Sequence, residues 1–282
     1  MATFGNTNAG ASGTNLATAA PQSQRIGTMA TLTENGIATS ISVYLGGVTE
    51  TLDVTAFLNY GDNEKSAFVE VVSLERLDLS VTAADAWYTF DIADTSIVAG
   101  RYLLSVAGDG TDLAAGACAI RYDFNTAGTS TYLQANVGTY AGLKTNPLVF
   151  SLILGSLNAC IYCTYTALPT VTISAVTNNA PTTATANGNI TTIPGGNCTL
   201  RGFVYGTTPK AQPNNAAGAS SGYDTVVSES GSYGTGTYSL NLTGLTSGTK
   251  YYMRPYAQDT NGYSYGDELS FTTPINGAWL KA

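Results

Sequence analysis

Histidine is absent from this sequence, and its absence removes a large part of enzyme chemistry. Without imidazole there is no Ser-His or Cys-His nucleophile pair, no imidazole general base and no histidine-containing zinc site. Charge is scarce as well: Asp, Glu, Lys and Arg make up 11% of 282 residues, about half the usual share. Thr, Ser, Asn and Gly take their place, which predicts a polar, nearly uncharged surface. The 11 Lys and Arg are scattered against 19 Asp and Glu, for a formal net charge of −8. Phosphate neutralisation needs clustered basic residues, so no nucleic-acid partner is expected. No window reaches the roughly 18 apolar residues of a membrane span. The N-terminal stretch "MATFGNTNAGASGTNLATAAPQSQ" lacks a basic segment followed by an apolar core, so neither a span nor a secretory leader is expected.

What is present reads as β-structure. "TSISVYLG" from Thr39, "WYTFDI" from Trp87, "GRYLLSVAG" from Gly100, "ACAIRYDF" from Ala117 and "CIYCTYT" from Cys160 are short and rich in β-branched and aromatic residues. Gly, Asn and Asp bound them, as strand ends require. "KSAFVEVVSLERL" offers a turn of helix at most and reads equally well as a strand. Such strands, with polar turns between them, predict an all-β chain of sandwiches whose sheets hide their inner faces against each other. With 44% hydrophobic residues each half has enough material for its own core. "TALPT" marks the boundary, giving residues 1–166, residues 167–274 and a short tail, 275–282, "INGAWLKA". The first 25 residues, rich in Ala, Gly, Ser and Thr, bury too little to order alone and are expected to be held by packing in an assembly.

In "LTGLTSGTKYYMRPYA" the spacing of Leu245, Gly248, Thr249 and Tyr251 resembles the tyrosine corner of fibronectin type III domains. In that corner a Tyr at the start of strand F turns its hydroxyl back to the preceding loop. The resemblance covers about the last hundred residues. "VTISAV", "TATANGNI", "TLRGFVYG", "TYSLNL", "YYMRPYA" and "LSFTT" stand for strands A, B, C, E, F and G. "GNITTIPGGNCTLRGFVYGTTP" is similar to the form of this fibronectin type III or immunoglobulin-like domain found in bacterial surface and phage virion proteins. Alternation on strand F sends Tyr251, Met253 and Ala257 to the core, and Tyr252, Arg254 and Tyr256 to the other face. With Tyr263 or Tyr265 opposite, the second set is expected to form an outward patch able to stack on a sugar or a neighbouring subunit. A solvated ladder that only stabilises the sheet is the alternative. The long segment "KAQPNNAAGASSGYDTVVSESGSYGTG" departs from the family pattern and reads as a contact loop.

"ATLTENGIATSISVYLGG", "DAWYTFDI", "AGRYLLSVAGDG" and "CIYCTYT" together resemble a jelly-roll β-sandwich module of bacterial surface proteins and some phage structural proteins. Modules of this shape are compared with carbohydrate-binding modules, which makes Trp87 a candidate glycan contact. Trp279 in the tail is a candidate docking anchor.

Other candidate sites are weaker. Cys160 and Cys163 stand three apart in a strand, which would place their sulfurs on opposite faces and keep them from sharing a metal. Buried free thiols are the expectation, with Cys198 and Cys118 distant in sequence. A cross-strand disulfide from Cys118 to one of the pair is open if the protein works outside a cell. The turns holding Asp62, Asp109 and Asp112 offer oxygen ligands for calcium, though Asp and Gly also serve turns for backbone reasons. No other cofactor is expected. Glu70, Glu75, Asp78, Asp85 and Asp91 form no motif for a glycosidase pair, and no enzyme activity is expected. Sequons at Asn189, Asn197 and Asn241 matter only in a secretory host.

Together these features, and above all the two resemblances, imply a non-enzymatic virion structural protein, a phage capsid decoration or other surface-exposed assembly protein. Its expected partners are other virion proteins and itself as a homo-oligomer, with host-surface glycans as a further class and the virion surface as its location. The alternatives are a carbohydrate-binding adhesin or receptor-binding protein, and a subunit of an extracellular filament or surface layer.

Overall fold

The computed structural model describes residues 1–5, 7, 12–15, 17–19, 22–46, 50–61, 69–82, 84–108, 119–124, 132–136, 152–154 and 157–276. The chain divides into two compact units, Met1–Thr166 and Ala167–Ala282. Both are β-sandwiches, and the strand pairings among the described residues are antiparallel. No helix among these residues is long and apolar enough to cross a membrane.

In the first unit the strands are β1 (Ala2–Gly5), β2 (Ser12–Asn15), β3 (Ala17–Ala19), β4 (Gln22–Leu32), β5 (Gly36–Gly46), β6 (Glu50–Tyr60) and β7 (Val69–Val81). They continue with β8 (Ala86–Ile97), β9 (Gly100–Gly108), β10 (Ala119–Phe124), β11 (Tyr132–Asn136), β12 (Leu152–Leu154), β13 (Leu157–Ala159) and β14 (Ile161–Ala167). One sheet runs β1-β14-β5-β10-β13, with β2 also beside β10 and β8 beside β5. The other runs β12-β11-β4-β9-β6-β7, with β3 beside β4.

Period-two patterning decides what each strand buries. On β5, Ile41, Val43 and Leu45 are fully buried, and Phe90 on β8 lies opposite Ile41. From the other sheet come Tyr102, Leu104 and Val106 of β9 with Val54, Ala56 and Leu58 of β6. Phe4 joins the two layers: its ring centroid is 5.6 Å from Tyr102 in one sheet and 5.7 Å from Tyr165 in the other. β6 and β9 are buried on both faces, since Phe57, Asn59, Leu103, Ser105 and Ala107 are buried as well. Continuous apolar runs such as "YLLSVA" are the sequence form of a strand covered on both sides.

The N-terminal stretch departs from expectation. Its described residues pair within their own unit: Ala2–Gly5 with Tyr162–Tyr165, Ser12–Asn15 with Ala119–Tyr122, and β3 with the start of β4. Small residues that bury little still satisfy a sheet ladder, and Phe4, 7% exposed, adds an apolar anchor.

In the second unit β15 (Thr170–Thr177), β16 (Thr183–Thr192) and β19 (Gly236–Thr243) form a sheet in that order. The facing sheet runs β18 (Thr225–Tyr233), β17 (Cys198–Gly206), β20 (Lys250–Asp259) and β21 (Gly262–Tyr265). β22 (Leu269–Thr272) pairs with the other end of β20. Val171, Ala186, Ile190 and Leu242 from one sheet meet Phe203, Met253 and Ala257 from the other in a closed core. Tyr238 bolts the layers together. From β19 its hydroxyl crosses the core to donate to the carbonyls of Gly202 (3.0 Å) and Tyr256 (3.3 Å), and burial raises its pKa. Gly188 lies opposite it in register, and a Cβ there would come within 2.7 Å of the ring. The corner is present too: the Tyr251 hydroxyl accepts from the Thr246 amide at 2.9 Å.

Candidate functional site

Two aromatic faces stand out, one on each unit. The first is the outer face of β17, β20 and β21, where alternation on β20 separates the side chains as expected. Tyr251, Met253 and Ala257 enter the inter-sheet core, while Tyr252, Arg254 and Tyr256 lie on the other side. That other side, however, is not an open patch. Tyr256 is 1% and Tyr265 2% exposed, stacked on each other across the strands at 5.5 Å and 25°. With Val204 and Tyr223 they form a second small core, against which Leu200, Tyr252 and Tyr263 pack half-buried.

The cover is the chain's own loop, residues 207–224. The Tyr265 hydroxyl donates to Ala216 O at 2.8 Å, the Tyr263 amide to Asn215 Oδ1 at 2.7 Å, and Gln212 Nε2 to Tyr265 O at 2.9 Å. A short 3-10 turn, Gly218–Ser220, sits above the Tyr256 ring; a Cβ on Gly218 would lie 3.2 Å from its Cζ. Arg254 fastens the loop. Its Nε donates to the Tyr223 hydroxyl at 3.1 Å, its Nη1 to Gly266 O at 3.0 Å and its Nη2 to Lys210 O at 3.3 Å. Glu268 completes the knot, accepting from the Tyr223 hydroxyl and from the Lys210 amide. Burial, with the Glu268 hydrogen bond, pushes the Tyr223 hydroxyl up to about 12. Burial also raises Tyr256 and Tyr265.

The expected outward patch of Tyr252, Arg254, Tyr256, Tyr263 and Tyr265 is therefore corrected in part: Tyr256 and Tyr265 are buried, whereas Tyr252, Arg254 and Tyr263 are half-buried. Residues 207–224, the first part of the segment read as a contact loop, cover Tyr256 and Tyr265 and accept hydrogen bonds from Arg254. The half-buried Arg254 guanidinium and the buried Tyr223 phenol satisfy their polar groups through these contacts.

The second face is on the first unit. Tyr44 of β5 and Trp87 of β8 lie directly opposite one another, ring centroids 5.1 Å apart, and Tyr162 of β14 meets Trp87 at 4.9 Å. Their neighbours Ile41, Val43, Phe90, Ile161 and Cys163 point into the core, so these three rings share the outer face. All three are half-buried. Along the same face Ser42 pairs with Thr89, their hydroxyls 2.9 Å apart, and Ser40 stands opposite the exposed Asp91. Trp87 was legible as a candidate. Tyr44 and Tyr162 were not singled out, although the alternation of "SISVYLG" and "CIYCTYT" puts both tyrosines on the outer side.

The remaining candidates are dispersed or lie elsewhere. Asp62, Asp109, Asp112, Cys118 and Trp279 fall outside the described residues. Among the described residues no group of three or more Cys, Asp or Glu is placed to hold a metal. Glu70 and Glu75 lie on β7 and Asp91 on β8, with Asp85 in the turn before it; Glu70 accepts from the Ser73 hydroxyl at 2.9 Å. Cys160, Cys163 and Cys198 are buried, and Cys118, the other end of the open disulfide, lies outside the described residues. Of the Cys160/Cys163 pair only Cys163 lies in a strand. Cys160 precedes β14 in a bend, so strand alternation does not govern its direction. Burial pushes the Cys163 thiol up to about 12, and burial with the Asp259 charge pushes Cys198 up to about 11, which makes both inert at neutral pH.

No protein-family profile and no curated protein matches the sequence. Among solved structures, a short form of the sensor domain of the anti-sigma factor RsgI4 from Pseudobacteroides cellulosolvens is 18% identical. It covers 39% of this chain and 97% of its own, with a TM-score of 0.29. The solution structure of the same sensor domain is 15% identical over 38% of this chain and 76% of its own, at 0.26. The FN1–FN3 domains of chicken CNTN1 are 12% identical over 96% of this chain and 68% of theirs, at 0.27. The sandwich architecture rests on the strand pairing described above, not on these similarities.

Proposed function

We propose that this chain is a non-enzymatic structural protein of a virion, a phage capsid decoration or other surface-exposed assembly protein. In this reading a jelly-roll-like first unit is followed by a fibronectin type III-like second unit. The observation that carries it is that the second unit covers much of its own aromatic face. Side chains that would make a ligand site, Arg254, Tyr256 and Tyr265, are engaged by the unit's own loop. A module of this kind suits display and spacing on a particle surface, where a closed, nearly uncharged exterior resists both proteolysis and unspecific binding. Its partners would be other virion proteins and further copies of itself.

In this reading the first unit docks and the second projects. Because β1 and Phe4 belong to the first unit's sheets and core, the N-terminal residues act through that fold and not as a detachable arm. The test is a mass-spectrometric inventory of purified particles, joined to incorporation of a chain truncated after Ala167. Presence in the particle and incorporation of the truncated form are expected. Absence from particles overturns the reading, and loss of incorporation on truncation reverses the orientation.

The second reading, a glycan-binding adhesin or receptor-binding protein, is favoured by one specific observation: the half-exposed rings of Tyr44, Trp87 and Tyr162 on one sheet face.

A further inference from the structure

We infer that the free edge of β19 pairs, antiparallel, with the same edge of a second copy of the chain. The inference rests on the structural-protein reading, in which further copies are partners, and names the surface through which two of them meet.

A sheet edge carries unpaired N–H and C=O groups, and folded proteins guard such edges with bulges, charges, proline or covering loops. The other edges of the second unit are guarded in these ways. The ladder of β15 is broken by two register shifts, and Gly266 runs close against it, a Cβ there falling 2.4 Å from Val171 O. β18 has a register shift against β17, carries Glu229, and is met by the covering loop, where a Cβ on Gly218 would lie 3.1 Å from Val226 Cγ1. The edge beyond β20 is split between β21 and β22, with Asp267 and Glu268 in the gap. β19 has none of these protections. Its 8 residues pair with Thr183–Ile190 without a register shift. No strand lies on its other side, and it contains neither proline nor a charged residue.

The strand is also self-complementary. From Thr237 to Thr243 it reads "TYSLNLT", which is polar and apolar in the same order from either end. A two-fold axis normal to the sheet reverses the strand direction and keeps every side chain on its own face. Centred on Leu240, it sets Ser239 opposite Asn241 of the second copy, and Thr237 opposite Thr243, all on the exposed polar face. On the core side the half-buried Leu240 meets its own equivalent across the axis.

Hydrogen bonding within each copy already orients the meeting groups. Asn241 Oδ1 accepts from the Thr185 hydroxyl at 3.2 Å, which leaves its Nδ2 as a donor. The Ser239 hydroxyl donates to Asn187 Oδ1 at 2.7 Å, which leaves its oxygen as an acceptor. Side chains directly opposite in an antiparallel pair are within reach of one another, so Asn241 Nδ2 of each copy donates to Ser239 Oγ of the other. Thr183, Thr185, Asn187 and Asn189 extend this face on β16 without charge, so the doubled sheet brings no like charges together. Because the far edges are guarded, the arrangement closes as a pair.

The test is sedimentation of the full chain over a range of concentrations, with edge variants followed by thermal unfolding. A reversible dimer is expected. Ser239→Lys with Asn241→Lys sets like charges opposite each other twice and should weaken the dimer at least tenfold. Ser239→Lys with Asn241→Glu sets opposite charges in the same places and should restore it. Thr172→Lys with Ser174→Lys adds the same charge to the same face on β15 and should leave the dimer unchanged. Should the two-lysine variant not fold, Ser239→Ala with Asn241→Ala removes both cross-edge bonds without charge and is expected to weaken the dimer severalfold. A chain that is monomeric at every concentration, a dimer indifferent to the edge variants, or growth beyond a dimer overturns the inference. Failure of the Lys/Glu variant to restore the dimer overturns the register centred on Leu240. A solution dimer that is missing from purified particles keeps the β19 pairing and sinks the structural-protein reading, whereas a monomer found in particles does the reverse.

Discussion

The two aromatic faces differ in what lies above them. On the second unit, Tyr256 and Tyr265 are turned away from the inter-sheet core, yet residues 207–224 fold over them and make a second core. On the first unit, Trp87 with Tyr44 and Tyr162 is also turned away from the core, and its rings stay half-exposed with their polar tips unpartnered. Both faces carry the same residue chemistry in the same alternating pattern. The difference teaches that an outward aromatic is a ligand candidate only when no loop of its own chain supplies the partners its ring and hydroxyl need.

The comparison breaks most visibly at the covered face. Tyr256→Ala should destabilise the second unit by about 3–5 kcal/mol, the cost of emptying a buried aromatic site, read by denaturant unfolding. Phe4→Ala is its counterpart for the first unit, expected at a similar magnitude because its ring joins the two sheets. Equal stability of Tyr256→Ala and wild type would mean that the loop does not cover this face in solution.

Arg254→Ala tests the fastening directly. Removing the guanidinium leaves the carbonyls of Lys210 and Gly266 and the Tyr223 hydroxyl without their donor. A loss of about 2–3 kcal/mol is expected from breaking charge-assisted bonds, with new protease cleavage between residues 207 and 224. A loop that stays resistant would show the apolar contacts alone hold it.

The covered face should also respond to alkali. Tyr223 titrates near 10 when unfolded and at about 12 when folded. Between these values the folded state keeps a proton that the unfolded state has lost, so the stability present below pH 10 falls as pH rises through 12. Tyr256 and Tyr265 are shifted in the same direction. Tyrosinate absorbance followed with unfolding should show this alkaline loss, reduced in Tyr223→Phe.

The smallest effect on stability is expected at the open face. Trp87→Ala should cost about 1 kcal/mol, within the range of half-exposed sites. A loss as large as that of Tyr256→Ala would show that Trp87 is a core residue like its counterpart.

Some of this was legible beforehand. The all-β class, the strand edges in "GRYLLSVAG" and "WYTFDI", and the division of Tyr251, Met253 and Ala257 from Tyr252, Arg254 and Tyr256 all follow from local alternation. The corner at Tyr251 was legible only through the resemblance to fibronectin type III domains. Strands β4 and β6 were harder to see, because "QSQRIGTMATL" and "ETLDVTAFLNY" mix small and polar residues whose burial comes from neighbouring strands.

By itself, the sequence determined which way each strand residue points, because a side-chain period of two is a property of the local backbone. Only the tertiary structure decided what those side chains meet. The pairing of Ala2–Gly5 with Tyr162–Tyr165, the loop across Tyr256 and Tyr265, and the meeting of Tyr44, Trp87 and Tyr162 join residues tens to more than a hundred positions apart. Contacts at such separations are set by the packing of whole sheets, which no local pattern encodes.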